Sequence, residues 1–331
     1  MHKVAQQLVE CDAFFTTYYD DGYLDTLKRL RLAEATPLGY KLSARTLAYF
    51  ERHRLALDQG GLNGPYDLVL TCSDLLVPGN IRRSPIVLVQ EGMTDPEGLF
   101  YRIWRKHRWF PRWLAGTAVS GLSDEYTRFC VASEGYKRQF VSKGANPDKL
   151  VVTGIPNFDN CRQFLDNSFA FRDFVLVCTS DVRETFGFED RQALINKAVR
   201  IANGRRLIFK LHPNERAGRA TREIKRHAPG ALIYVTGPTE EMIANCAVLI
   251  TRFSSTAYVG LALGKEVYSD FDIEDLRQKM PIQTGTAAQA IAGVCRQVMT
   301  PVEHAAEQRE REDPASMTDL RQPAAVQDLA V

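Results

Sequence analysis

The chain reads as an α/β protein with two parallel-sheet domains facing a cleft. Short apolar segments run without polar alternation, helix-period segments separate them, and the second half repeats the same alternation. Strands buried on both faces read as unbroken apolar runs, and alternating βα units imply parallel sheets covered by helices on both faces. At 331 residues the chain exceeds the usual single-core size, which fits two domains.

The elements follow in order. Residues 2–10 already read as a helix with no strand ahead of it, so the native chain is expected to be longer or to lack a first strand. Residues 12–19 (DAFFTTYY) are aromatic and β-branched, 24–33 predict a helix, and 43–57 a second one capped by Ser43. Strands are expected at 67–71 (DLVLT), 85–90 (PIVLVQ), 128–133 (RFCVAS) and 149–154 (KLVVTG). GIPNFDN then gathers Gly, Pro and Asn, and 155–172 is read as the interdomain connection.

In the second half, strands are expected at 173–180, 205–213, 231–236, 247–251 and 266–270. Helices are expected at 188–202 and 217–227, after a Thr239 cap with Glu240 and Glu241 in the first turn, from Ser255, and from Ala287. From residue 301 the composition turns to Glu, Arg, Gln, Pro and Ala, which reads as a disordered tail. The predicted division is 1–154, a connection at 155–172, 173–300, and the tail 301–331.

Composition narrows the function classes. Hydrophobic content of 45% and charged content of 25% are ordinary for a soluble domain protein. A net charge of +2 argues against a general polyanion binder, and nucleic acid is not an expected partner. The seven cysteines are scattered without a C-x-x-C pair, which points to reduced thiols in the cytoplasm rather than zinc or disulfides. No apolar run approaches the roughly 18 residues of a membrane span, so the protein is expected to be soluble or peripheral.

In open parallel α/β sheets, ligands bind beyond the carboxyl ends of the strands. The chemically capable residues here sit at those predicted ends: Glu91; Gly154 and Asn157; Thr179, Ser180, Asp181 and Arg183; Lys210, His212, Pro213 and Asn214; Arg252, Ser254, Ser255 and Thr256. In LITRFSST the hydroxyls and the first-turn N–H groups predict an anion site, or simply an N-cap. In FKLHPNE the imidazole of His212 is suited to a phosphate, with Pro213 stiffening its backbone and Lys210 beside it.

The order VVTGIPNFD, TSD, KLHPNE, LITRFSSTAYVGLALGKEV resembles nucleotide-sugar glycosyltransferases of the GT-B architecture, two Rossmann-like domains around a cleft. The resemblance is nearest the capsule and lipopolysaccharide branch of Kdo transferases, polysialyltransferases and CDP-glycerol polymerases. It implies that His212 and Pro213 match the HP motif and that Ser254, Ser255 and Thr256 match the serine motif, both holding the CMP or CDP part of the donor. It also implies a C-terminal donor domain, an N-terminal acceptor domain, and no cofactor beyond the nucleotide-sugar co-substrate.

Two carboxylates are candidates for the chemistry. Asp181, just after a strand, is placed to attack an anomeric carbon or activate an acceptor hydroxyl, or else to cap the following helix. Retaining β-Kdo transferases use an aspartate in a comparable loop as nucleophile. Glu91 is the candidate base or acceptor ligand of the N-terminal domain, or a solvated loop carboxylate. Arg183 is suited to offset phosphate or acidic-sugar charge. The Asp-x-Asp spacing in SDFD (269–272) has no evident partner ligand, and no obligatory metal is expected.

Residues 101–116 (YRIWRKHRWFPRWLAG), from Tyr101 through Gly116, interleave five basic residues with Trp104, Trp109 and Trp113. That predicts an interfacial segment on anionic lipid, or a helix with inward tryptophans and solvated arginines. The leading expectation is a cytoplasmic glycosyltransferase, peripheral to the inner face of the membrane, acting on a surface polysaccharide or glycolipid. The alternatives are a CDP-glycerol or polyol phosphotransferase, a UDP-sugar 2-epimerase and a non-catalytic nucleotide-sugar binding protein. Epimerases of that type carry Ser-Gly-Gly where this chain has Ser254-Ser255-Thr256.

Overall fold

A computed structural model describes residues 1–16, 40–185 and 188–312. The predicted helix at 24–33, the end of the predicted strand at 12–19 and residues 313–331 lie outside the described residues.

Among the described residues the strands form three parallel sheets. A two-stranded pair joins β1 (Phe14–Phe15) to β2 (Ala56–Leu57). The first large sheet runs in chain order through β3 (Val69–Thr71), β4 (Ile86–Val89), β5 (Arg128–Val131) and β6 (Leu150–Val152). The second orders β11 (Glu266–Tyr268), β10 (Val248–Ile250), β7 (Val175–Cys178), β8 (Leu207–Lys210) and β9 (Leu232–Tyr234). The chain walks outward from β7 through β8 to β9, then returns to place β10 on the other side of β7. The switch point therefore falls between β7 and β10, where such sheets open a crevice.

Period-2 alternation, with a core on each face, explains why the central strands are mostly apolar. Ile86 and Leu88 face one core with Phe129 and Phe140, while Val87 and Val89 face another with Cys130 and Ile291. In the second sheet Val175 and Val177 pack against the helix Arg191–Ala202, whereas Leu176 and Cys178 pack toward Met242 and Ile243. Both faces of each large sheet are covered in this way, as expected of parallel pairing.

The helices, in chain order, are α1 (His2–Ala5), α2 (Tyr40–Arg52), α3 (Leu99–Lys106) and a helix Glu134–Lys143 that the sequence reading did not assign. Arg191–Ala202, Ala217–His227, Thr239–Asn245, Thr256–Ala262, Ile273–Gln278 and Ala287–Glu312 follow. Three local expectations are corrected. Ser43 lies inside α2 rather than at its N-cap, because the helix begins at Tyr40. Pro238 takes the N-cap position of the helix that starts at Thr239. The final helix continues past residue 301 to Glu312 instead of dissolving there.

The domain division is also revised. Ile291, Ala292, Cys295 and Val298 of the final helix pack on the first sheet with Val4 and Leu8, not on the second. The chain thus crosses between units twice, at 155–172 and again near 279–287. Asp159, buried in the first crossing, joins them. Its carboxylate accepts from the backbone N–H of Ala287 at 2.7 Å and of Gly285 at 2.9 Å, tying the start of the final helix to the connection. Tyr258 adds a buried hydrogen bond across the units, its hydroxyl donating to that of Tyr136 at 2.9 Å.

Candidate active site

The carboxyl ends of the two large sheets meet at one cavity of about 330 Å³. Residues after β3, β4 and β6 (Cys72, Glu91, Asn157) line one side, and residues after β10 and β11 (Phe253, Ser255, Phe271) line the other. Within each sheet, parallel pairing aims every carboxyl end the same way. Glu91 and Asn157 are exposed here, and the Asn157 amide donates to the Glu91 carbonyl at 3.2 Å. Gln90, buried below them, braces the floor by donating to the Gly92 carbonyl and accepting from the Ala132 N–H. Burial pushes the Cys72 thiol up to about 11, and the Glu91 charge adds to it. At neutral pH that sulfur is a protonated wall rather than a nucleophile.

A second cluster stands on the β7 and β8 ends. His212 follows β8 by two residues, and the Glu215 N–H donates back to its carbonyl at 3.0 Å, making HPNE a β-turn with Pro213 at the position proline favours. The Asn214 amide donates to the Asp181 carboxylate at 3.1 Å, and His212 Nδ1 lies 3.5 Å from the same oxygen. Nδ1 also accepts from the Asn214 backbone N–H at 3.3 Å. The neutral ring therefore carries its proton on Nε2, whereas the imidazolium would turn Nδ1–H toward Asp181. The helix after this loop is capped by Asp190, which accepts from Ala193 N–H at 2.9 Å, so Asp181 is not needed for that cap.

Below the cluster lies a buried charge network that sequence reasoning missed. Thr179 donates to Glu215 at 2.6 Å and accepts from the His212 N–H at 3.0 Å. Ser180 donates to Glu189 at 2.7 Å. Arg191 bridges both carboxylates, meeting Glu215 at 2.6 Å and Glu189 at a short contact. Arg183 binds Glu223 through two 2.9 Å hydrogen bonds and reaches Glu215 at 3.4 Å. The Glu223 hydrogen bond raises Arg183's proton affinity, and Arg183 in turn holds the Glu223 carboxyl below its usual range. Only the Glu that closes KLHPNE and the paired Glu and Arg in FEDRQ signalled this network, and neither forms a spacing pattern.

These contacts revise several sequence assignments. Thr179 and Ser180 are committed to the buried carboxylates of Glu215 and Glu189, and Arg183 to the half-buried Glu223 and to Glu215. Lys210 is buried, its ammonium donating to the Leu211 carbonyl at 2.7 Å. It points into the protein, where the predicted strand-end cation was expected in the cleft. Gly154 is buried at φ +75°, and a Cβ there would stand 3.2 Å from that of Ala287. It serves the close approach of the returning chain.

On β10's end the structure brings the remaining residues together. Ser254 and Thr256 hydroxyls lie 3.0 Å apart, and Ser254 accepts from the Thr256 N–H at 3.3 Å. Arg252 pairs with Asp270 at 2.6 Å and lies 3.7 Å from Glu189. Asp270 and Asp272 of the Asp-x-Asp pair are thus divided: the first holds Arg252, and the second caps Ile273–Gln278. Among the described residues, no group of three or more His, Cys, Asp or Glu side chains is placed to hold a metal ion.

The tryptophan segment splits between its two readings. Trp104 is buried, with the Arg108 guanidinium 4.1 Å above its ring. Arg112 is tied to Asp74 at 3.1 Å. Trp109 is 81% exposed, beside exposed Leu99, Phe100 and Leu114 and solvated Arg102, Arg105 and Lys106. No helix among the described residues is long and apolar enough to cross a membrane.

No family model and no curated protein matches the chain. Among solved structures it is similar to the UDP-GlcNAc 2-epimerase of Neisseria meningitidis bound to UDP-GlcNAc. That match has 13% identity over 77% of this chain and 80% of the other, with a TM-score of 0.48. The UDP-GlcNAc 2-epimerase of Methanocaldococcus jannaschii, in complex with UDP-GlcNAc and UDP, matches at 12% identity over 75% and 87%, TM-score 0.49. A variant of the wall teichoic acid polymerase TagF matches at 9% identity over 91% and 94%, TM-score 0.46.

Proposed function

We propose that the chain is a glycosyltransferase that moves a sugar from a CMP-linked, Kdo-like or sialic-acid-like donor to a surface polysaccharide or glycolipid. The observation that carries this reading is the gathering of polar side chains at strand carboxyl ends: Asp181, His212 and Asn214 cluster after β7 and β8, while Glu91 and Asn157 line the cavity together with Ser255. In this reading His212 Nε2–H and the hydroxyls of Ser254, Ser255 and Thr256 hold the donor phosphate. Hydrogen bonds, rather than a metal, then stabilise the departing nucleotide. Asp181 serves as nucleophile or base, with the Asn214 amide fixing its rotamer, and Glu91 meets the acceptor hydroxyl.

The exposed apolar and basic side chains of residues 99–114 suit a peripheral contact with anionic membrane at the cytoplasmic face. Residues 94–96 and Thr117, which flank this segment in the chain, line the cavity, so a membrane-anchored acceptor is compatible with it.

Calorimetry with CMP, CDP and UDP, followed by donor hydrolysis assays, tests the reading. His212→Ala should weaken nucleotide binding by one to two orders of magnitude, as expected for losing a charge-assisted hydrogen bond of about 1.5–3 kcal/mol. Unchanged nucleotide affinity in that variant removes His212 from the site. Tight binding without turnover of any donor favours a binding protein instead.

A further inference from the structure

We propose that the cavity between the two units is a saccharide subsite selective for uncharged sugar residues. The proposal rests on the reading of the first unit as the acceptor side. Its basis is the charge and surface chemistry of the walls. The charged groups lining the cavity are the carboxylates of Glu91 and Asp95; among the described residues no Lys, Arg or His lines it. Both carboxylates belong to exposed residues. The guanidinium of Arg252, 5.9 Å from the Phe253 ring, is already held by Asp270 and Glu189.

An anionic sugar would enter against two like charges with no cation in the lining to offset them; the Lys143 ammonium, which feels the Asp95 charge from outside the lining, is paired with Glu97 at 3.5 Å. Inside a partly closed cleft that repulsion is less screened than in bulk water. A neutral sugar meets the opposite situation. Carboxylates and the Asn157 amide accept and donate to hydroxyls, and carboxylates accept them strongly. Phe253, 46% exposed and packed edge-on to Phe271 at 5.0 Å, offers an aromatic surface for the C–H face of a pyranose ring.

Geometry holds these groups in place. The Asp95 N–H donates to the Thr117 hydroxyl at 2.7 Å, and the Asp95 carboxylate accepts from the Thr117 N–H at 3.0 Å. This reciprocal pair keeps the Asp95 charge at the wall. The volume, about 330 Å³, sits at the lower end of the roughly 300–1,000 Å³ range of small-molecule sites. That is room for the end of a glycan rather than a long stretch of one.

The test is saturation-transfer NMR on the full chain, with a panel of neutral trisaccharides each paired with a counterpart ending in a uronic acid. CMP and UDP binding are measured on the same samples. Neutral members should bind at least tenfold more tightly than their acidic partners. Glu91→Gln should narrow that gap by improving acidic binding, and Phe253→Ala should weaken the neutral members with an unchanged melting temperature. Equal or tighter binding of acidic sugars, no binding of any neutral one, or an unaltered ratio in Glu91→Gln overturns the proposal. If nucleotides bind while neutral sugars do not, the subsite is wrong and the donor reading stands. If neutral sugars bind while nucleotides do not, the donor reading falls and the subsite remains.

Discussion

Asp159 is the residue whose loss the fold should feel most clearly for its size. It is buried, and its carboxylate accepts from the Ala287 N–H at 2.7 Å, the Gly285 N–H at 2.9 Å and, more weakly, the Thr284 hydroxyl at 3.4 Å. Gly285 N–H has a second acceptor, the Asp159 carbonyl at 3.0 Å, so Asp159→Ala orphans chiefly the Ala287 donor. Ala287 is fully buried, and water cannot repair the loss. An unpaired buried donor costs about 1–3 kcal/mol, and the loss of a helix cap falls in the same range. With the small void left by the carboxylate, about 2–3 kcal/mol is expected for Ala. Asn retains one acceptor oxygen and should cost about 1 kcal/mol. Urea unfolding followed by circular dichroism reads both, and in thermal scans the Ala variant should melt roughly 4 °C or more below wild type. An Ala variant within about 0.5 kcal/mol of wild type would refute the coupling of the two crossings through this carboxylate.

Three further outcomes bear on the site and its frame. Asp181→Asn should nearly preserve donor affinity and melting temperature while turnover falls by at least ~10²–10⁴-fold; near-normal turnover leaves Glu91 as the remaining carboxylate to test. Gly135→Ala should destabilise by about 1–3 kcal/mol or more, since the new Cβ would stand 2.0 Å from the Gln278 carbonyl oxygen; an unchanged denaturation midpoint would show that the helix starting at Glu134 does not pack there. Changing Arg105, Lys106 and Arg108 to Ser should abolish sedimentation with anionic liposomes at low salt while turnover on a soluble acceptor persists. A wild-type protein that never sediments with such liposomes ends the membrane reading.

The alternation of buried strands and amphipathic helices was legible in the sequence because parallel sheets leave a local mark. VLVC, LIF and VLI are apolar throughout since each face has its own core. The helix Ala217–His227 matched its predicted bounds, and the strand ends were placed well enough to nominate Glu91, Asp181, His212 and Ser255. That is as far as local pattern reaches. Whether a side chain at a strand end faces the cleft depends on charges brought from distant elements. Thr179 and Ser180 turned inward because Glu189, Glu215 and Arg191 had to satisfy one another in a place without water, and Arg183 follows them to Glu215 and the half-buried Glu223. Lys210 turned inward because its strand register puts it beside Cys178 on the buried face, where backbone carbonyls receive its ammonium. The second crossing was hidden for the same reason: the final helix carries an ordinary apolar stripe, and nothing in that stripe names the sheet it covers. Only tertiary structure decided that it returns to the first unit, with Asp159 holding its start.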